Sequence, residues 1–252
     1  MSRNSVERFS DRVDDYVKYR PEYPASIIGF LKDEIDFDST WKVADIGAGT
    51  GISSKLFLEN GNQVVAVEPN AEMRRAAAVY LADYSSFRLI DSTAENTKLG
   101  DKCVDLVTAS QAFHWFDLSK CVAEFRRILT EAGYIALIWN ERRLNANEFL
   151  RQYEKLLVEF GTDYGKVRHD KLTIESMEKA FGSKFFLKSF PNSQTLDFKG
   201  FMGRSFSASY TPAKDDHRYE YMLGSLKSLF ADFQEKGRIQ LLYNTNIFYA
   251  QI

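Results

Sequence analysis

Through the first 140 residues, short apolar runs and helical patterns take turns, and that alternation leaves few architectures open to the chain. The apolar runs are Lys42 to Ile46, Gln63 to Val67, Phe87 to Ile90, Val104 to Ala109 and Tyr134 to Trp139. Helical patterns fall between them. Ile52 to Asn60 is closed by Gly61, Ala71 to Tyr84 follows Asn70 as a cap, and Asp117 to Leu129 carries Val122, Phe125, Ile128 and Leu129 on one face. Strands and helices alternating at this spacing specify an α/β fold, a parallel sheet covered on both faces. Such sheets take ligands at the carboxyl ends of their strands, near the point where strand order reverses.

The flanks read differently. Val6 to Tyr23 is rich in aromatic and charged residues, and Pro21 and Pro24 stop any helix there near Tyr19. Ile27, Ile28, Phe30 and Leu31 then recur at helical spacing. After Asn140, Phe149, Tyr153, Leu156, Leu157 and Phe160 mark an amphipathic helix, Ile174 to Phe181 a shorter one, and Met222, Leu226, Leu229, Phe230 and Phe233 another. Phe185 to Phe190 and Thr195 to Phe198 read as extended, and Arg238 to Ala250 as a final strand. The expected organisation is one domain over residues 1–252, with a lid-like segment at 1–24 and a helical insertion or cap at 141–184.

A chain of 252 residues can bury a core without disulfides or metal. Cys103 and Cys121 form no CxxC pair, which argues against a zinc site and against a secreted disulfide scaffold. The formal net charge of −2 gives no footprint for nucleic acid. The pairs Arg74-Arg75, Arg126-Arg127 and Arg142-Arg143 read as solvated helix surface. Neither a signal-peptide core nor an apolar run of about 20 residues is present, so no membrane partner is expected and the cytoplasm is the expected location.

The chemistry centres on Asp45-Ile46-Gly47-Ala48-Gly49-Thr50-Gly51, set after a strand and before a helix. Glycines there allow a tight turn and let a ligand lie against the backbone, while the following helix points free N–H groups at it. The dinucleotide pattern G-x-G-x-x-G fails, because position 52 is Ile52. Glu68 ends the next strand, where a carboxylate can accept both hydroxyls of a ribose.

Together with Thr93-Ala94-Glu95, these residues resemble the class I S-adenosylmethionine-dependent methyltransferases, and most closely the small-molecule branch called the methyltransferase type 11 family. The runs from Ala109 to Phe116 and from Glu124 to Leu129 add to the likeness, as does Tyr16-Val17-Lys18-Tyr19-Arg20-Pro21. It covers roughly residues 5–140, and Gly203 to Pro212 resembles the same branch. The resemblance implies a Rossmann-like, seven-stranded, mostly parallel sheet with S-adenosylmethionine as cofactor. It further implies that Asp45 braces the loop and that Gly47, Ala48, Gly49 and Gly51 receive the methionine part. Glu68 would hold the ribose, with Pro69 and Met73 beside the adenosine. Thr93, where many relatives carry Asp, would border the adenine with Ala94 and Glu95. Ser110 and Gln111 would face the reactive end.

His114 has two readings, a general base near neutral pH or a hydrogen-bonded residue that shapes the pocket. Trp115 reads as pocket wall. Tyr16, Tyr19 and Arg20 form either a lid or an aromatic packing contact. His169 and His217 read as surface or cap residues. The function expected is methyl transfer to a small-molecule acceptor, at a carboxylate or a hydroxyl, by in-line displacement. A cofactor-binding protein without catalysis and a nicotinamide-dependent oxidoreductase are the rivals.

Overall fold

The computed structural model describes residues 18–162, 164, 173–208 and 210–252. Lys18 and Tyr19 are helical and the chain leaves the helix at Arg20, as the two prolines require. The elements that follow are α1 (Ser26–Ile35), β1 (Lys42–Ile46), α2 (Ile52–Glu59), β2 (Gln63–Val67), α3 (Ala71–Tyr80), β3 (Phe87–Ile90) and β4 (Val104–Ser110). A single 3-10 turn, Phe113–Trp115, precedes α4 (Leu118–Ile128) and β5 (Leu129–Arg142). The remainder comprises α5 (Glu148–Phe160), α6 (Ile174–Phe181), β6 (Phe186–Leu196), α7 (Phe198–Phe206), α8 (Tyr219–Phe233) and β7 (Ile239–Gln251).

The sheet has seven strands in the order β3-β2-β1-β4-β5-β7-β6. The first five pair in parallel, and β7 runs antiparallel to both β5 and β6. Strand order reverses between β1 and β4, so the loops leaving their carboxyl ends diverge to opposite faces and leave a crevice between them.

Alternate residues of the buried strands feed opposite faces. Val43, Val64, Leu106 and Ala136 pack with Ile27, Leu31 and Phe57 of α1 and α2. Ala44, Val107, Ile135 and Leu137 pack with Phe125 of α4 and Phe181 of α6. A third cluster joins α5, α7 and α8 to the ends of β6 and β7 through Tyr153, Phe201, Leu226, Leu241 and Tyr243. Among the described residues, no helix is long and apolar enough to cross a membrane, and no group of His, Cys, Asp and Glu could hold a metal ion.

Four elements depart from the sequence reading, the first being α3, which ends at Tyr80 rather than Tyr84 because the chain turns from Leu81 on. Strand β6 runs unbroken through Pro191, which an edge strand tolerates because it pairs on one side only. Phe198 opens a helix rather than ending a strand: Asp197 accepts from the Gly200 N–H at 2.7 Å and caps α7, whose two glycines weaken its helical signal. Strand β5 begins at Leu129, ahead of Gly133, and its ladder with β4 shifts register between Val104 and Leu106.

Candidate active site

A cavity of about 540 Å3 opens at the switch point between β1 and β4. One end is built by the loop after β1. Gly49, at φ +57°, has no atom within 4 Å of where a Cβ would stand, so its open side is the floor of a cradle that a side chain would fill. Gly47 and Ala48 line the same floor. Gly51 does not line the cavity; it is glycine because at φ +84° a Cβ would stand 2.6 Å from Leu81, which α2 packs against.

Asp45 also lies behind the lining rather than on it. Its Oδ2 accepts the hydroxyls of Ser53 and Ser54 at 2.7 Å each, which fixes the first turn of α2. The carboxyl is fully buried, and burial pushes its pKa up to about 6 against the pull of those hydrogen bonds. Glu68 is reached from across the crevice: the Gly49 N–H donates to its Oε2 at 2.9 Å and the Asn70 N–H to its Oε1 at 2.8 Å. Burial raises its pKa while these two amides lower it. Each carboxylate oxygen keeps a lone pair for a hydroxyl entering the cavity.

Pro69, Met73, Thr93, Ala94 and Glu95 continue the wall. Asn70 caps α3 by accepting from the Met73 N–H at 3.0 Å, which sets the thioether over the cavity. The loop carrying Thr93 to Glu95 hangs from α4. Glu124 accepts the Thr97 N–H at 2.8 Å and its hydroxyl at 2.6 Å, and pairs with Arg127 at 2.7 Å. The Arg127 guanidinium holds the Glu124 pKa down at about 2. Glu95 accepts the Asp117 N–H at 2.9 Å.

Ser110 and Gln111 line the cavity at the end of β4. Gln111 sits at φ +57°, a costly backbone for a non-glycine residue, and is held there by bonds from its N–H to the Ile138 carbonyl at 2.9 Å and from Nε2 to the Asn140 carbonyl at 3.1 Å. Trp115 is part of the wall. His114 is not among the lining residues; its ring lies 4.6 Å from the Trp115 ring. Thr50 and Ser110 line the cavity, and their buried hydroxyls have no hydrogen-bond partner among the described residues. Polar atoms left this way, an open backbone cradle and a spare-valence carboxylate fit an aminoacyl nucleoside cofactor.

The other end includes Arg20, Tyr23, Arg142, Tyr164, Arg204 and Tyr210, of which only Arg20 is a site residue expected from the sequence. Arg142 corrects one expectation. It is no solvated helix residue but the end of β5, 9% exposed, paired with Glu154 at 2.9 Å and donating to the Tyr164 hydroxyl at 2.6 Å and the Tyr210 hydroxyl at 3.3 Å. Its guanidinium also lies 5.3 Å from the Tyr153 ring centroid. Arg74 and Arg127, by contrast, do sit on helices. Arg204 shares a face of α7 with Phe201, so its inward direction becomes legible only once that helix is known.

The entry segment is fixed from both sides. Arg20 Nη2 donates to the Ser207 carbonyl at 3.0 Å, Gln194 to the Tyr19 carbonyl at 2.9 Å, and Asn192 to the Glu22 carbonyl at 2.9 Å. Tyr19 is buried and does not line the cavity; its ring lies so close to Gly203 that a Cβ there would stand 2.1 Å from it. Tyr16 and His169 lie outside the described residues, and the His217 side chain is 85% exposed.

A mostly parallel sheet with an open cradle at its switch point is the arrangement in which α/β proteins of this class take nucleotide cofactors. Residues 44–137 match a family model described as a methyltransferase domain, of type 11. Residues 44–137 thus form a methyltransferase type 11 domain, whose homologues are class I S-adenosylmethionine-dependent methyltransferases, and S-adenosylmethionine is the cofactor of that family. The chain is similar to an uncharacterized methyltransferase-like protein of Schizosaccharomyces pombe, 27% identical over 98% of this chain and 96% of that one. It is also similar to an uncharacterized methyltransferase of Mycobacterium tuberculosis, 34% identical over 66% of this chain and 63% of that one. The structure of the YcgJ protein of Bacillus subtilis overlays with a TM-score of 0.57 at 18% identity, over 90% of this chain and 98% of that one, a likeness of fold alone. Arg20, Arg142, Tyr164, Arg204 and Tyr210 fall outside the matched domain.

Proposed function

We propose that this chain transfers the methyl group of S-adenosylmethionine to a small molecule, at a carboxylate or a hydroxyl, held at the arginine- and tyrosine-lined end of the cavity. The observation that carries this reading is continuity: one cavity joins the Gly49 cradle and Glu68 to Arg142 and Arg204. When bound, the cofactor supplies a methyl carbon made electrophilic by a sulfonium sulfur.

The residues divide the work by position. Gly47, Ala48 and Gly49 take the methionine part along their backbone, with Asp45 and Gly51 holding the loop's shape from behind. Glu68 receives the ribose hydroxyls on its free lone pairs, Pro69 and Met73 pack the adenosine, and Thr93, Ala94 and Glu95 border the adenine. Ser110 and Gln111 stand where β4 meets the reacting end. Trp115 and Phe116 exclude water, so that orienting the acceptor is the main catalytic contribution. A carboxylate acceptor needs no base, whereas a hydroxyl does. His114, set against Trp115 and off the lining, supports a role in holding that wall. The net charge of −2 supports a small molecule over nucleic acid, and two free cysteines support a reducing, cytoplasmic setting.

Calorimetry with S-adenosylhomocysteine and with NADH tests the cofactor reading. The first is expected to bind and, at a hundredfold excess over its Kd, to stabilise the fold by about 2.7 kcal/mol, roughly 5–10 °C in Tm. Binding of NADH in its place would support the oxidoreductase. An acceptor screen that follows S-adenosylhomocysteine release then tests catalysis, and silence with every small acceptor would favour a binding protein.

A further inference from the structure

We infer that Arg204, with Arg142 and Tyr210 beside it, forms a carboxylate-binding subsite, so that the methyl acceptor is an organic acid bound as its anion. The inference rests on the reading of the cavity as a methyl-transfer site and specifies its substrate class.

Arg204 is 5% exposed and lines the cavity. Its Nε meets the Tyr243 hydroxyl at 3.3 Å, while Nη1 is buried without a hydrogen-bond partner among the described residues. Among the described residues, the groups that act most strongly on its charge are Tyr243, Tyr153, Tyr210 and Arg142, none of them a carboxylate. A guanidinium out of water with no carboxylate among its strongest partners is costly, and a donor left without a partner on a residue that lines a cavity marks where an anion can bind.

The charge count at this end agrees. Three arginines, Arg20, Arg142 and Arg204, and one acid, Glu141, border it, and Glu154 pairs with Arg142 at 2.9 Å. The combined field of the arginines shows at Tyr210: burial raises the pKa of its hydroxyl, yet Arg142, Arg204 and Arg20 outweigh that and bring it below the ordinary tyrosine value. A carboxylate answers that field with a single negative charge, whereas a phosphate monoester brings about −1.5 to −2.

The test is calorimetric titration of protein loaded with S-adenosylhomocysteine, using acetate, succinate, citrate, dimethyl succinate and inorganic phosphate as probes. At least one of the three carboxylates is expected to bind, with dimethyl succinate and phosphate weaker by about tenfold or more. Arg204→Met should weaken the best carboxylate by about tenfold or more and Arg204→Lys by less, with S-adenosylhomocysteine affinity nearly unchanged in both. Three outcomes overturn the subsite: no carboxylate binding to the loaded protein, ester or phosphate binding as tightly as the acid, or full carboxylate affinity in Arg204→Met. Should Arg204→Met fail to fold, the acid-against-ester comparison in the unaltered protein decides alone. Failure of that protein to take up S-adenosylhomocysteine would instead sink the underlying methyl-transfer reading.

Discussion

A carboxylate that already accepts two backbone amides does two jobs at once, and Glu68 shows how they are coupled. Its bonds to Gly49 and Asn70 hold the cradle and the cap of α3 in register, while its remaining lone pairs face the cavity. Glutamine keeps the shape but offers one acceptor oxygen, so one of those amides loses its partner. Glu68→Gln is therefore expected to cost about 1–3 kcal/mol of stability and to weaken S-adenosylhomocysteine by about tenfold or more, read by denaturant unfolding and calorimetry. Unchanged affinity would remove Glu68 from the cofactor site. Glu68 and the glycine loop were legible in the sequence because a strand-to-helix turn constrains its own residues locally. Arg204 was not, since nothing within a few residues of it reveals that no carboxylate is among its strongest partners.

Elements act here by holding loops. Helix α4 suspends the Thr93 to Glu95 loop through Glu124. Glu124→Ala leaves the buried Thr97 N–H unpaired and its hydroxyl with only the Leu99 N–H, with an expected loss of about 1–3 kcal/mol and a weaker grip on the cofactor's base. Adenosine affinity compared with methionine affinity would separate that effect from a general loosening of the fold. Helix α7 and the entry segment form the second case. A methyl group at Gly203 would stand 2.1 Å from the Tyr19 ring, so Gly203→Ala must push Tyr19 aside and Arg20 with it. Overpacking of this kind costs about 1–3 kcal/mol. A double variant that adds Tyr19→Ala should recover much of the Tm, and failure to recover it would show that the contact is not the cause.

For the whole molecule, Asp45 ties stability to pH. Its folded pKa of about 6 lies above the ordinary 3.8, so the folded state holds this proton more tightly than the unfolded chain does. The contribution is fully present below about pH 3.8 and is lost as pH rises through about 6, a change of about 3 kcal/mol. Asp45→Asn keeps an acceptor for Ser53 and Ser54 without the charge. Its stability relative to the unaltered protein should therefore grow between pH 4 and pH 7.5 in urea titrations, and a constant difference across that range would refute the assignment.

The division between what the residues announced and what the folded chain settled follows from range. Alternating strands and helices, the cap at Asn70, and the cradle at Gly47 to Gly51 depend on neighbours a few positions away, and the sequence alone determined them. Strand β6 running through Pro191, the burial of Arg142 and the inward face of α7 depend on which edge stays unpaired and which surfaces meet. Only the tertiary structure could decide those, because the free energy of a buried arginine belongs to its surroundings and not to its place in the chain.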